Sequence, residues 1–148
     1  MKRNRQLTLF MALGAVAGIF SVIAPYVLLH GFTGEYQSPL FPLLRNAWEK
    51  LEVVTTVVLL VCAGVALGFM CPKHWLTLGA STAFLFPLAA VLEIAKDPRS
   101  HNLWPIEFVL YIVLVAGPAI LGALVGSMIR GRREHATSNS SSSGRESA

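Results

Sequence analysis

Four long apolar runs, separated by short polar segments, dominate the pattern of hydrophobic positions along the chain. They extend over about residues 7–29, 51–70, 75–92 and 105–129. A helix needs about 20 predominantly apolar residues to cross a bilayer core about 30 Å thick. The runs therefore predict four transmembrane helices, which we number as spans one to four. The predicted fold class is an all-α membrane protein, with a four-helix bundle over residues 1–130.

The residues that flank the apolar runs explain where the spans end. Cys71-Pro72 ends span two, because proline cannot continue a helix beyond its first turn, and Pro105 suits the first turn of span four. The basic N-terminus resembles a signal peptide, but the apolar run behind it is too long, so we expect an uncleaved anchor. The serine-rich residues 131–148 have nothing to bury, which predicts a disordered tail.

Composition and charge agree with a membrane location. Apolar residues make up 54% of the chain, charged residues only 14%, and the mean hydropathy is +0.60, whereas soluble domains carry about 25% charged residues. Eight of the 12 lysines and arginines lie on the side of the two termini, and four lie on the other side. The eight are Lys2, Arg3, Arg5, Lys73, Arg130, Arg132, Arg133 and Arg145. Because cytoplasmic loops hold an excess of basic residues, this distribution predicts cytoplasmic termini. The short loops favour a bacterial inner membrane.

Small residues four positions apart recur in three of the four predicted spans. The pairs are Gly14 and Gly18, Gly64 and Gly68, and Gly122 and Gly126. In lipid, such pairs let two helix backbones approach closely. They predict packing either within the bundle or across a dimerisation face. A shift of 58 residues aligns the last two pairs, which raises the hypothesis that the chain is a duplicated helical hairpin.

Prolines lie inside predicted spans three and four. Pro87 in span three and Pro118 in span four predict kinks, since each deprives the carbonyl four residues earlier of its helical donor. Such kinks occur in ordinary transmembrane helices and also at transporter binding sites. The middle of each span lacks Asp, Glu, Lys, Arg and His, whereas an ion-coupled carrier usually holds one there. Glu93 lies about 27 Å beyond Trp75 along a helix, which predicts a place at the far interface.

Polar residues at the ends of the spans remote from the termini form a predicted cluster with metal-binding chemistry. Its members are His30, Glu93, Asp97, His101 and Glu107. Imidazole and carboxylate groups are ligands of zinc and other divalent metals. However, no His-Glu-x-x-His or paired-cysteine spacing accompanies them. Each residue also has a structural reason for its position. The carboxylate of Glu107, for example, is expected in the first turn of span four, where the positive end of the helix stabilises it.

The segment Ser100-His101-Asn102-Leu103-Trp104-Pro105-Ile106-Glu107 resembles the loop before the last span of small four-span bacterial membrane proteins of unassigned function. The resemblance covers this segment and the general layout of the spans. It implies a similar architecture, and it implies no catalytic role.

These observations favour a protein that acts by helix association, as an accessory subunit or a homo-oligomer. A small-solute carrier or channel that uses the kinked spans three and four is one alternative, and a metal site at the remote end is another. The sequence holds no catalytic motif, nucleotide-binding loop or Cys-x-x-Cys pair, so we expect no cofactor and lean against an enzyme. The expected partners are the lipid bilayer and another membrane protein or a second copy, without nucleic acid.

Overall fold

The structure, a computed structural model, describes residues 2–31, 40–96 and 104–143. Within these ranges every regular element is helical. In chain order the elements are α1 (Lys2–His30), α2 (Pro42–Glu49), α3 (Val53–Met70), a 3-10 turn (Pro72–His74), α4 (Trp75–Ser81), α5 (Leu85–Lys96), α6 (Trp104–Leu110), a π-helix (Tyr111–Ala116) and α7 (Gly117–Ser143).

Four helical segments are long and apolar enough to cross a membrane. They are Arg5–His30, Val53–Met70, Pro72–Lys96 and Phe108–Arg133. These segments correspond to the four predicted spans, so the all-α, four-span fold is confirmed. Between 28% and 44% of the most apolar stretch of each span is buried. Most of each apolar surface therefore faces outward, where a bilayer suits it.

Two stretches of the chain differ from the predicted boundaries. Span three is not one helix, because α4 and α5 are separated at residues 82–84. The last helix does not end near residue 129 but continues to Ser143, through residues predicted to be disordered. No proline follows Pro118, and extending an existing helix avoids the cost of nucleation. The remaining tail residues, 144–148, lie outside the described part.

The bundle is built around the contact between α3 and α7, which is the most extensive contact between described helices. Helix α1 packs on α3 and on α4, and α4 packs on α7. The short helix α2 packs on α1 at the end of the bundle remote from the two chain termini. We call this the outer end, and we call the opposite end, which includes Arg130, the inner end.

Candidate functional site

The two central helices touch each other through reciprocal glycine contacts. A Cβ atom added to Gly64 would collide with the carbonyl oxygen of Ala119, and one added to Gly68 would collide with that of Ala123. From the other helix, a Cβ on Gly122 would collide with the carbonyl oxygen of Val61. Gly126 meets the carbonyl oxygen of Val65 in the same way.

These contacts obey the 58-residue shift seen in the sequence. Gly64 of α3 meets Ala119 of α7, and Gly122 of α7 meets Val61 of α3. Gly122 is 58 residues after Gly64, and Ala119 is 58 residues after Val61, so each contact is repeated with the two helices exchanged. The order of the contacts shows that α3 and α7 run in the same direction. The central pair therefore has a local two-fold relationship, as two parallel copies of one helix would have. This relationship supports the hypothesis of a duplicated hairpin.

The glycine pair of span one also packs inside the chain. A Cβ on Gly14 would collide with the hydroxyl oxygen of Ser81, and one on Gly18 would collide with the carbonyl oxygen of Thr82. All six predicted packing glycines thus contact another span of the same chain. This arrangement favours packing within the bundle over a glycine-lined dimerisation face.

Span three breaks one turn before Pro87. The backbone N–H groups of Thr82, Ala83 and Phe84 donate to carbonyls three residues earlier, over 3.1–3.3 Å. Phe86 donates in the same way to the carbonyl of Ala83, over 3.2 Å. Because proline has no N–H and its ring clashes with the carbonyl four residues earlier, this tighter pattern gives the carbonyl of Ala83 another donor.

Two hydroxyl groups beside the break bond to the helix backbone. Ser81 Oγ donates to the carbonyl oxygen of Leu78 over 2.7 Å, and Thr82 Oγ1 donates to that of Gly79 over 2.8 Å. Both side chains are buried. Hydroxyl-to-backbone bonds of this kind bend helices. They also satisfy polar groups that lipid or an apolar core would leave without partners.

Span four contains a π-helix that ends two residues before Pro118. The N–H of Gly117 donates to the carbonyl of Ile112, five residues earlier, instead of the usual four. A π-helical turn is a rare irregularity that is frequently found at functional sites. The sequence predicted a kink at Pro118 but gave no sign of the wider turn before it.

The irregular parts of spans three and four lie side by side. At one end of the contact, a Cβ on Gly79 would come within 2.6 Å of the Cα of Ile120. At the other end, the rings of Phe86 and Tyr111 have their centroids 5.4 Å apart. The break in span three and the π-helix of span four fall between these two contacts. Two irregular backbone segments therefore adjoin within the bundle.

A buried hydroxyl lies at the same level on α3. Among the described residues, Thr56 is a buried side chain whose Oγ1 has no hydrogen-bond partner. It belongs to the buried stripe of α3 that includes Gly64, and it lies about 12 Å before that glycine along the helix. Gly64 faces Ala119, and the two helices are parallel. Thr56 and Tyr111 are each eight residues earlier in their own helices, so they lie at the same level, where the π-helix begins.

Helix α2 covers the outer end of the bundle. Its Asn46 and Ala47 are buried, and the ring of Trp48 meets Tyr111 edge-on with centroids 4.7 Å apart. The same ring lies 6.0 Å from Phe86. The four-span prediction leaves out residues 42–49. The signal it missed is the helical spacing of Leu43, Leu44, Ala47 and Trp48 behind an initial proline.

Glu93 is buried beneath the start of α2. Its side chain is only 6% exposed, and its Oε1 accepts a hydrogen bond from the backbone N–H of Phe41 over 3.3 Å. Phe41 immediately precedes α2, so the carboxylate lies at the positive end of that helix. The sequence places Glu93 at the far end of span three, and the structure adds that its side chain is buried there.

The other members of the predicted metal cluster are only partly described. His30 is exposed, and its ring stacks on Tyr26 at 5.1 Å. Asp97 and His101 lie outside the described residues, as does the side chain of Glu107 in α6. In the described part of the chain, no three His, Cys, Asp or Glu residues are grouped as a metal site requires. The full cluster remains a prediction.

Basic side chains tie the two central helices together at the inner end. Arg130 Nη1 donates to the carbonyl oxygens of Phe69 and Met70, over 3.1 and 3.0 Å. The guanidinium of Arg133 lies over the ring of Phe69, 5.6 Å from its centroid. Because the last carbonyls of a helix lack intrahelical donors, Arg130 supplies α3 with a C-terminal cap from α7.

Comparison of the chain with protein-family models, with curated proteins and with solved structures gave no match in any of the three.

Proposed function

We propose that this protein is a carrier or gated pore for a small solute. The observation that supports the proposal is the contact between the break in span three and the π-helix of span four. In this mechanism the outer parts of both spans move against the glycine-packed pair of α3 and α7. Helix breaks occur at the substrate sites of transporters because they allow local motion and free backbone polar groups.

The depth of the break agrees with this proposal. The midpoint of the Pro72–Lys96 span falls at Phe84, within the break. Carriers commonly bind their substrates near the membrane midplane, where helices are discontinuous. The 58-residue relationship between the central helices fits repeats of like orientation. The buried hydroxyl of Thr56 offers a polar solute one hydrogen-bonding group beside the π-helix.

Association with another membrane protein has less support than the sequence suggested. That hypothesis depended on glycine-lined helix faces, and all six of those glycines contact other spans of the same chain. An accessory subunit would have to use another surface. Association therefore becomes the interpretation to pursue if the protein moves no solute.

We further propose that the protein resides in a bacterial inner membrane with both termini in the cytoplasm. The excess of lysine and arginine on the side of the termini supports this orientation. Fusion of a fluorescent protein after Ala148 tests it, because such reporters fluoresce in the cytoplasm. Activity of a periplasm-dependent phosphatase at the same position would reverse the orientation.

The transport proposal is tested by reconstituting the purified protein into proteoliposomes. Uptake of a panel of small neutral, anionic and cationic solutes is compared with uptake into protein-free vesicles. We expect saturable uptake of at least one solute class. Uptake equal to that of empty vesicles across the panel, with the protein correctly folded and inserted, would contradict the proposal.

A further inference from the structure

Helix α2 contacts both of the irregular spans on the outer side of their irregularities. Trp48 reaches Phe86, the second residue of α5, and Tyr111, the first residue of the π-helix. Phe86 lies two residues after the break in span three. A motion of either outer segment would therefore displace the partner against which the indole of Trp48 packs.

The second attachment of α2 is the hydrogen bond from the N–H of Phe41 to Glu93. Glu93 also belongs to α5, two turns beyond Phe86 on the same face. A carboxylate that is 6% exposed is costly unless donors satisfy it. The bond thus links the start of α2 to the outer half of span three.

The length of α2 makes these attachments important. The helix has eight residues, and isolated helices shorter than about 12 residues are marginal in water. Its N-cap residue, Phe41, provides no side-chain capping bond. Its position, and much of its stability, therefore depend on tertiary contacts such as those of Trp48 and Glu93.

We infer that α2 is the outer gate of the protein, held closed by Glu93 through the backbone of Phe41 and by the ring of Trp48 on Phe86 and Tyr111. The gate opens when α5 swings about the break at residues 82–84 and carries Glu93 away from α2. This inference rests on the proposed transport function. It assigns Glu93 a positioning role, in which its carboxylate controls access to the outer end.

The gate is tested with a reporter thiol on its buried face. Ala47 is 1% exposed, so an Ala47→Cys variant in a Cys62→Ala background reports whether α2 is seated. The reagent is a membrane-impermeant maleimide, applied to protein in detergent and in nanodiscs. Cys71, which is partly exposed at the inner end of the bundle, remains as an internal control for general unfolding.

Adding Glu93→Ala is expected to accelerate labelling of the reporter about tenfold, as loss of a hydrogen bond to a charged group predicts. Glu93→Gln keeps an oxygen acceptor for the amide of Phe41, so its labelling should stay close to that of the parent. Glu52→Ala is the matched control, because Glu52 is an exposed carboxylate at the same end. Labelling of Cys71 should not change in any variant.

Slow labelling of the reporter in Glu93→Ala, or equal acceleration in Glu52→Ala, would overturn the inference. If Glu93→Ala also exposes Cys71 by unfolding, Trp48→Phe decides. Faster labelling of the reporter in Trp48→Phe, with unchanged labelling of Cys71, supports the gate, and unchanged labelling of the reporter contradicts it.

Labelling requires no transported solute, so a gate without flux would refute only the transport proposal. Flux with an unreactive reporter in every variant would refute only the gate.

Discussion

Gly64 and Gly122 occupy equivalent positions in the two central helices, each against the carbonyl oxygen of the other helix. The partner of Gly64 is Ala119, and the partner of Gly122 is Val61. Neither site has room for a Cβ without a shift of the facing backbone. Since this contact holds α3 and α7 together near the middle of the bundle, the two helices form the rigid part against which other segments move.

The closeness of this contact predicts a large effect of one added methyl group. We expect Gly64→Ala or Gly122→Ala to lower the free energy of unfolding by about 1–3 kcal/mol, the usual cost of overpacking. Thermal unfolding in detergent measures the change. Gly131→Ala is the control, because a Cβ there meets nothing within 4 Å. It should be neutral or slightly stabilising, as alanine favours a helix. Equal stability of all three variants would contradict a packed glycine interface.

The same interface predicts that the two substitutions do not act independently. Once Gly64→Ala has forced the helices apart, Gly122→Ala meets a wider gap and costs less. We therefore expect the double variant to lose less stability than the sum of the single variants. A double-mutant cycle should give a coupling of about 0.5–3 kcal/mol, the range found for residues in contact. Strict additivity would indicate that the contacts are separate.

The cap that Arg130 supplies to α3 predicts a smaller effect at the inner end. Arg130→Ala removes donors from the carbonyls of Phe69 and Met70. We expect a loss of about 0.5–1.5 kcal/mol, the net value of an ordinary hydrogen bond. Arg132→Ala removes the same charge from an exposed neighbour and should cost less. Chemical denaturation measures both variants. An equal loss of unfolding free energy in Arg130→Ala and Arg132→Ala would show that the cap does not stabilise the fold.

The proline after the π-helix predicts a functional effect without loss of the fold. Pro118→Ala supplies an N–H to the carbonyl of Leu114, which favours a regular α-helix over the π-turn. We expect solute flux in proteoliposomes to fall about tenfold, equivalent to about 1.4 kcal/mol in the barrier. Pro25→Ala is the control, since Pro25 lies inside α1 and that helix is continuous. Equal solute flux in Pro118→Ala and Pro25→Ala would show that Pro118 has no specific role in transport.

The sequence predicted the four spans because bilayer thickness sets the length of an apolar helix. Pro87 lies one turn after the observed break in span three, as its missing N–H requires. The π-helix was not predictable in the same way. Proline explains why a regular helix fails near Pro118, but tertiary packing around Tyr111 and Gly117 selects the wider turn.

Burial at the outer end was the least predictable feature. The carboxylate of Glu93 lies at the end of a span, where a polar residue is ordinary, and its burial depends on a separate helix. Helix α2 is short, and only half of its residues are apolar, so a search for membrane spans passes over it. The amphipathic spacing that ends at Trp48 was present in the sequence but carried no information about what it covers.

The central claim is that a rigid pair, α3 and α7, supports outer segments that move at the breaks. Amide hydrogen exchange of the protein in nanodiscs, read by mass spectrometry, tests this most directly. We expect residues 82–86 and 112–117 to exchange about 100-fold faster than residues 61–68, because locally weakened backbone opens at lower free energy. Equal protection of these segments would contradict the claim and show the bundle to be uniformly rigid.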